Sequence, residues 1–229
     1  MPSLNQGAWV PGTDEYRFGY NSIPTIPITG APADTNFARC AMLHDGLDYR
    51  FYAFRGSTRD TLYQFAWNGS SYAYGYRSIP QLRLVRMPAD ADASSIRMLH
   101  SGSAYHAYLR RLGDPTTLYQ FIWRPGTDEY AWDVPPFLST LQVDGFPAET
   151  DWSRWNMLHD GTDYRIYAFA YGSIDRFFQG AWDAAASRYR YGLNSIPQLR
   201  ATGYPADSDP GRTAMLHDGA AYRLSFLTP

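Results

Sequence analysis

Lysine is missing from this sequence: all twenty basic residues are arginine, against 22 acidic residues, for a formal net charge of −2. A chain without a basic excess lacks the charge pattern of a nucleic-acid-binding domain, so we do not expect nucleic acid as a partner. Cysteine is almost missing, because Cys40 is the only one, and an intrachain disulfide is excluded. No stretch approaches the roughly 18 consecutive apolar residues of a membrane helix, so we expect no membrane insertion.

Targeting and catalytic motifs are also missing. Residues 1–6 lack the basic segment and apolar run of a signal peptide, which leaves a cytoplasmic location or export by a route that the sequence does not show. The chain has no Gly-x-Ser-x-Gly elbow, no phosphate-binding loop and no His-Glu-x-x-His pair. Cys40 has no counterpart at the equivalent positions of the repeats described next, so we interpret it as a small hydrophobic residue. We therefore expect a protein that is not an enzyme.

What the sequence does contain is a repeated pentapeptide, Met-Leu-His-Asp-Gly. Its copies begin at Met42, Met98, Met157 and Met215, at intervals of about 58 residues, which is the signature of a repeat architecture. The second copy has Ser101 in place of aspartate. In every copy a tyrosine follows the glycine by three residues and opens a run of alternating aromatic residues. Such period-two alternation predicts a β-strand.

The rest of each repeat predicts further strands. A second aromatic run contains the pattern Gln-x-x-Trp, and after an Asn-Gly or Pro-Gly turn a third short run follows, such as residues 72–75. The stretches between repeats contain Ser-Ile-Pro and a proline-small-acid step, which predict extended loops. No segment has helical periodicity over ten residues. Each repeat therefore predicts four strands, and the whole chain predicts an all-β protein with little helix.

The ends of the chain predict how the repeats are arranged. Residues 4–9 and 15–19 match the last two strands of a repeat, and residues 215–217 and 222–226 match the first two. Because either half alone would leave an unpaired strand edge, we expect them to pair and complete one unit. Four-stranded antiparallel units arranged around an axis are propeller blades. We predict one domain, 1–229, a four-bladed β-propeller with repeats at about 25–80, 81–137 and 138–197, and a fourth at 198–229 completed by 1–24.

This pattern resembles the hemopexin-like family. The resemblance rests on an inner strand, a glycine with an aromatic residue three positions later, and a second aromatic strand, as in Gly46, Tyr49, Phe51, Tyr63 and Phe65 and their repeats. It covers essentially the whole chain and is architectural. The Asp-Ala pair that usually opens the inner strand of that family is replaced here, for instance by Arg39-Cys40. The resemblance implies a four-bladed propeller with an axial tunnel that can hold a small ligand or an ion. Propeller lectins are a looser likeness.

The repeated histidines are the first candidate site. A pseudo-fourfold ring of imidazoles near the axis is a possible ligand contact or transition-metal site, although each ring also suits a structural role in its turn. These residues are His44, His100, His159 and His217.

Tryptophan, glutamine and arginine recur in the same way and predict a carbohydrate site. An indole face stacks on the apolar face of a sugar while amide and guanidinium groups bond its hydroxyls; core packing is the alternative explanation. The candidates are Trp9, Trp67, Trp123, Trp182, Gln6, Gln64, Gln120, Gln179, Arg50, Arg165 and Arg223.

Acidic residues after the repeated prolines are weak candidates for calcium or another ion, because carboxylates at i and i+2 in a loop are hard oxygen ligands. Local turn bonds are the alternative explanation. These residues are Asp34, Asp90, Asp92, Asp207 and Asp209. No other cofactor is expected.

The leading functional hypothesis is a multivalent lectin that binds glycans or glycoconjugates, and the sequence is compatible with an oligomer. The alternatives are a hemopexin-like carrier with one ligand, metal or haem in the axial tunnel, and a protein-interaction or toxin-accessory scaffold. The repeats are not identical: Ser101 and His106 replace aspartate and arginine, and residues 134–136 replace Ser-Ile-Pro. If these positions line the pockets, fewer than four sites are functional.

Overall fold

The structure is a computed structural model that describes residues 2–228, and every regular element in them is a β-strand. The all-β prediction is therefore confirmed. The strands are β1 (Ser3–Trp9), β2 (Glu15–Phe18), β3 (Thr25–Thr29), β4 (Thr35–His44), β5 (Tyr49–Arg55), β6 (Thr61–Trp67), β7 (Tyr72–Tyr74), β8 (Gln81–Val85), β9 (Ala91–His100), β10 (Tyr105–Arg111), β11 (Asp114–Trp123), β12 (Glu129–Trp132), β13 (Thr140–Asp144), β14 (Thr150–His159), β15 (Tyr164–Ala170), β16 (Arg176–Asp183), β17 (Arg188–Tyr191), β18 (Gln198–Thr202), β19 (Thr213–His217) and β20 (Tyr222–Thr228).

The strands form four units with the same antiparallel pairing. In unit 1, β4 pairs with β5 and β5 with β6, and the outer edge of β6 is shared by β7 and β8. Unit 2 repeats this order with β9–β13 and unit 3 with β14–β18. Each unit has five strand segments where four are predicted. The additional strands lie in stretches between the repeats whose prolines predict loops; they are β3, β8, β13 and β18.

Unit 4 is assembled from both ends of the chain. The strand β19 pairs with β20, β20 pairs antiparallel with β1 from Leu4↔Leu227 to Ala8↔Arg223, and β1 pairs with β2 and β3. The predicted pairing of the first and last strands is therefore present. Because β3 pairs with β1, and β8 with β6, the units end a few residues later than the repeats at 25–80, 81–137 and 138–197.

Neighbouring units meet at both edges of their sheets. The innermost strands contact one another in the cyclic order β4, β9, β14, β19. At the outer edges, short strands of adjacent units pair in parallel: β8 with β12, β13 with β17, β18 with β2, and β3 with β7. The four units consequently close into one hydrogen-bonded ring.

The hydrophobic core lies between the units, which explains the aromatic sequence of the middle strands. On β5, Phe51 and Ala53 pack toward unit 4, while Tyr52 and Phe54 pack toward unit 2. Both faces of the sheet are therefore buried, and a large apolar side chain such as Phe51 or Phe54 contributes about 1.5–3 kcal/mol of hydrophobic stabilisation. Within residues 2–228, no helix is long and apolar enough to cross a membrane.

Candidate functional site

Three junctions between units hold a cavity at the same place, and a differently placed cavity of about 350 Å³, lined by Gln142, Phe146, Trp152 and Arg188, lies between units 2 and 3. Site I lies between units 1 and 2, with a volume of about 400 Å³. Site II lies between units 3 and 4, with about 280 Å³, and site III between units 4 and 1, with about 330 Å³. Volumes of this order suit a small ligand or one end of a larger one.

The three sites are built from equivalent residues of two neighbouring units. The leading unit contributes an arginine, a glutamine and a Ser-Ile pair; the following unit contributes a tryptophan and two tyrosines. In this order, site I contains Arg50, Gln64, Ser78, Ile79, Trp123, Tyr105 and Tyr130; site II contains Arg165, Gln179, Ser195, Ile196, Trp9, Tyr222 and Tyr16; and site III contains Arg223, Gln6, Ser22, Ile23, Trp67, Tyr49 and Tyr72. Three of the predicted tryptophans, three glutamines and all three arginines therefore meet, and every tryptophan faces the arginine of a different unit.

The arginine of each site is held in place by its own unit. In site I, Arg50 donates from Nε to Asp45 Oδ2 at 2.8 Å and from Nη2 to Asp48 Oδ2 at 3.1 Å. Gln64 is 4% exposed, and when its amide is oriented to satisfy its neighbours, Oε1 accepts from Arg50 Nη1 at 2.6 Å. The guanidinium and the amide are thus fixed before any ligand arrives, which lowers the entropic cost of binding.

The motif aspartate links two units at each site. Asp45 Oδ2 accepts a hydrogen bond from Tyr105 Oη at 3.0 Å across the junction, besides its bond to Arg50. Asp160 and Asp218 make the same bridge to Tyr222 and Tyr49, at 2.9 and 3.2 Å. Burial by itself raises the pKa of Asp45, but hydrogen bonds from the Asp48 amide and from Arg50 outweigh it and lower the pKa to about 2.

The tryptophan and its neighbouring tyrosine form an aromatic wall. Trp123 packs against Tyr130 with ring centroids 5.3 Å apart, and Trp67 against Tyr72 at 5.8 Å. The tyrosines of these pairs are buried, whereas the tryptophans are only partly buried. Part of each indole therefore borders the cavity.

Two buried hydroxyl groups at the sites have no partner in the protein. Ser78 Oγ in site I and Ser195 Oγ in site II are inaccessible and make no hydrogen bond with the described residues. A buried polar atom without a partner costs roughly 1–3 kcal/mol, so such atoms are uncommon in native proteins.

A left-handed residue precedes the Ser-Ile pair in all three sites: Asn21, Arg77 and Asn194 have φ of 43°, 43° and 46°. Asparagine tolerates this conformation better than most residues. In sites II and III it directs the backbone carbonyl at the arginine, so that Asn194 O accepts from Arg165 Nη1 at 2.9 Å and Asn21 O from Arg223 Nη1 at 2.5 Å.

At the junction between units 2 and 3, side chains fill the place that is equivalent to sites I, II and III. His106 takes the position of Arg50 and is 2% exposed, and its ring lies 5.8 Å from that of Phe137. Gln120 Nε2 lies 2.9 Å from His106 Nδ1. In the strand register Thr140 corresponds to Gln81, so Phe137 takes the place of Ser78. Burial lowers the pKa of His106 to about 4, so the ring is neutral. We call this the closed junction; Trp182 and Gln120 belong to it.

The motif histidines lie at the axis and not in the cavities. His44 packs on Tyr49 with ring centroids 4.5 Å apart, and the other three histidines pack on their tyrosines at 4.4 to 4.6 Å. All four border an axial opening of only about 10 Å³, together with the motif methionines and leucines. Burial lowers the pKa of each of these histidines. The structure therefore does not bring them together with Trp9, Trp67 or Trp123.

Arginine side chains form ion pairs with four of the weak metal candidates. Asp34 accepts from Arg55 Nε at 3.2 Å, and Asp90 from Arg111 Nε at 2.8 Å. Asp92 and Asp209 are paired with Arg110 and Arg212, and Asp207 is exposed. Within residues 2–228, no group of three or more His, Cys, Asp or Glu side chains is placed to hold a metal ion.

Comparisons with known proteins give little beyond this geometry. No protein-family model matches the chain, and no curated protein matches it. Among solved structures, it is similar to the crystal structure of AofleA from Arthrobotrys oligospora, with 11% sequence identity and a TM-score of 0.35. The match covers 92% of this chain and 52% of that one, so the chain spans about half the length of that structure. A similarity at this level carries no argument about fold or function.

Proposed function

We propose that this protein is a non-enzymatic, carbohydrate-binding lectin with three sites per chain, at the junctions that form sites I, II and III. The observation that carries the proposal is the threefold recurrence of one arrangement: a partly exposed indole opposite a fixed guanidinium and a buried amide. An indole face packs on the C–H face of a sugar ring, and the planar polar groups bond its hydroxyls.

We also propose that the four units are the blades of a four-bladed propeller formed by residues 1–229 as one domain. The identical pairing order in all units, the cyclic contacts of the inner strands and the pairing of β1 with β20 support this architecture. With sites at several junctions, the chain can engage several glycans of one surface. Such multivalent attachment raises the overall affinity about 10²–10⁴-fold over a single site.

The alternative of an axial carrier, as the hemopexin-like resemblance implies, has less support. The opening between the motif histidines measures about 10 Å³, which is room for about one water molecule. A haem or an organic ligand needs a far larger space. The volume available to a ligand lies instead at the junctions between units.

A glycan array followed by calorimetric titration with the best-bound sugar tests the proposal. We expect three equivalents of sugar per chain for the wild type and two for Trp123→Ala. Trp182→Ala is the matched control, because this residue has the same place in the closed junction, and we expect three equivalents for it. Binding of no glycan at high protein concentration, or three equivalents for Trp123→Ala, would contradict the proposal.

A further inference from the structure

The three sites differ in charge at two positions. One is the residue before the tyrosine that opens the second strand of the leading unit: Asp48 in site I, Asp163 in site II and Ala221 in site III. The other is the left-handed residue before the Ser-Ile pair: Arg77, Asn194 and Asn21. Asp48 and Asp163 bond the arginine of their site, and Arg77, Asn194 and Asn21 line the cavities, so charge at both positions affects the electrostatic potential in the site.

In site II every edge of the arginine is occupied by the protein. Arg165 Nε donates to Asp160 Oδ2 at 2.5 Å, Nη2 to Asp163 Oδ2 at 3.1 Å and Nη1 to the Asn194 carbonyl at 2.9 Å. One guanidinium faces two carboxylates, so the local charge is −1. Because each of its three nitrogens already donates to the protein, this arginine is less available for the bidentate pairing that carboxylate or sulfate groups favour.

In site III one edge of the arginine is free. Arg223 Nε donates to Asp218 Oδ2 at 2.7 Å and Nη1 to the Asn21 carbonyl at 2.5 Å, but Nη2 has no acceptor among the described residues. Ala221 stands where sites I and II have an aspartate. One guanidinium faces one carboxylate, so the local charge is zero.

In site I the local charge is zero because a second arginine borders the cavity. Each nitrogen of Arg50 makes one hydrogen bond within the protein, to Asp45, Asp48 or Gln64, and Arg77 borders the same cavity. Arg77 is exposed and forms no ion pair with the described residues; its guanidinium lies over the Tyr76 ring at 5.3 Å. It therefore offers a free cationic donor.

We propose that these two positions set the charge selectivity of each site: site II takes uncharged sugars only, whereas sites I and III also take sugars that carry a carboxylate or a sulfate. The inference rests on the proposed lectin function. It follows from Coulomb attraction at the rim of a partly solvated cavity, where a unit charge changes the affinity up to about fivefold.

The test compares two variants, one double and one single, that exchange residues between the sites. The assay is a printed array that carries neutral glycans beside sulfated and sialylated forms of the same cores, and the readout is the ratio of acidic to neutral binding. Arg77→Asn with Ala221→Asp gives sites I and III the residues found in site II, and we expect the ratio to fall by up to about fivefold. Asp163→Ala gives site II the residue of site III, and we expect the ratio to rise.

The outcomes separate the two proposals. An unchanged ratio in all variants, or a ratio that rises in the double variant, would overturn the assignment of charge selectivity while leaving the lectin function intact. A fall in the wild type's ratio of acidic to neutral binding at high salt would support the assignment of charge selectivity, because screening weakens exposed charge pairs. Absence of binding by both neutral and acidic glycans, in every variant and the wild type, would overturn the lectin proposal itself.

Discussion

Asp45 connects two units, and its replacement tests whether the aspartate–arginine–tyrosine bridge stabilises the ring. Its carboxylate is 3% exposed and accepts four hydrogen bonds: from the Leu47 and Asp48 amides at 3.1 and 2.8 Å, from Arg50 Nε at 2.8 Å and from Tyr105 Oη at 3.0 Å. Asp45→Ala removes all four and leaves a largely buried guanidinium without its main partner. We expect a loss of about 2–4 kcal/mol in the free energy of unfolding.

Asp45→Asn distinguishes the contribution of the turn hydrogen bonds to stability from that of the ion pair. Its remaining carbonyl oxygen can still accept from the two turn amides, so only the charge and the junction bonds are weakened, and we expect a loss of about 1–2 kcal/mol. In thermal unfolding followed by tryptophan fluorescence, Asp45→Ala should lower Tm by about 5–12 °C, since each kcal/mol shifts a domain of this size by about 2–4 °C.

Ser101→Ala is the matched control, because Ser101 has the same place in the closed junction. Its hydroxyl lies 3.2 Å from His106 Nε2 and 3.2 Å from the Ala104 carbonyl, and no charge is involved. We expect a loss below about 1 kcal/mol. If Asp45→Ala is no less stable than Ser101→Ala, the bridge does not stabilise the ring as argued.

Three further predictions follow from the structure. The pKa of Asp45 and of Asp160 is lowered in the folded state to about 2. Each therefore contributes about 1–2 kcal/mol to the free energy of unfolding above pH 4, and this contribution disappears as the pH falls through 2. Urea unfolding between pH 5 and 2 should show this loss, and a free energy of unfolding that does not change with pH would contradict it. Gly180→Ala places a Cβ 2.6 Å from the Arg190 carbonyl oxygen and should cost about 1–3 kcal/mol by the same assay, so wild-type stability would be the contrary result. Burial raises the pKa of Cys40 to about 11, so a chromogenic disulfide reagent should label it only after unfolding; rapid labelling of the folded protein would refute the packing.

The repeated sequence predicts most of the fold. The alternating aromatic runs predict the three long strands of each unit, and the split repeat predicts the pairing of β1 with β20. The short strand β8 is not predicted, although Leu82 and Leu84 alternate in its sequence, because the prolines nearby favour a loop. Its partners are β6 and β12 of the neighbouring unit. Parallel pairing between units depends on their arrangement in space, which local sequence does not contain.

The sequence predicts the residue types of the sites better than their grouping. Tryptophan, glutamine and arginine recur once per repeat, but the repeat does not show that Trp123 meets Arg50 of the preceding unit. The tyrosines that bridge the junctions, Tyr105, Tyr222 and Tyr49, are missed as site residues, although their regular spacing after the motif glycine is a usable signal. The histidines are placed elsewhere, because their strand faces the axis.

The closed junction combines two departures that look separate in the sequence. Ser101 and His106 belong to one repeat, and residues 134–136 to the link that follows it. The segment from Tyr119 to its partner Thr140 is three residues longer than the equivalent segment from Tyr63 to Gln81, so that Phe137 and not Val134 takes the position of Ser78. The strand register reveals this shift, and the sequence alone does not.

A crystal structure of the protein soaked with its best-bound sugar would test most directly whether the junctions are the binding sites. We expect the sugar at the junctions of units 1 and 2, 3 and 4, and 4 and 1, stacked on Trp123, Trp9 and Trp67 and bonded to Arg50, Arg165 and Arg223, with the closed junction empty. A sugar bound at the closed junction or at the axial opening, with the three cavities vacant, would contradict the assignment of the binding sites to these three junctions.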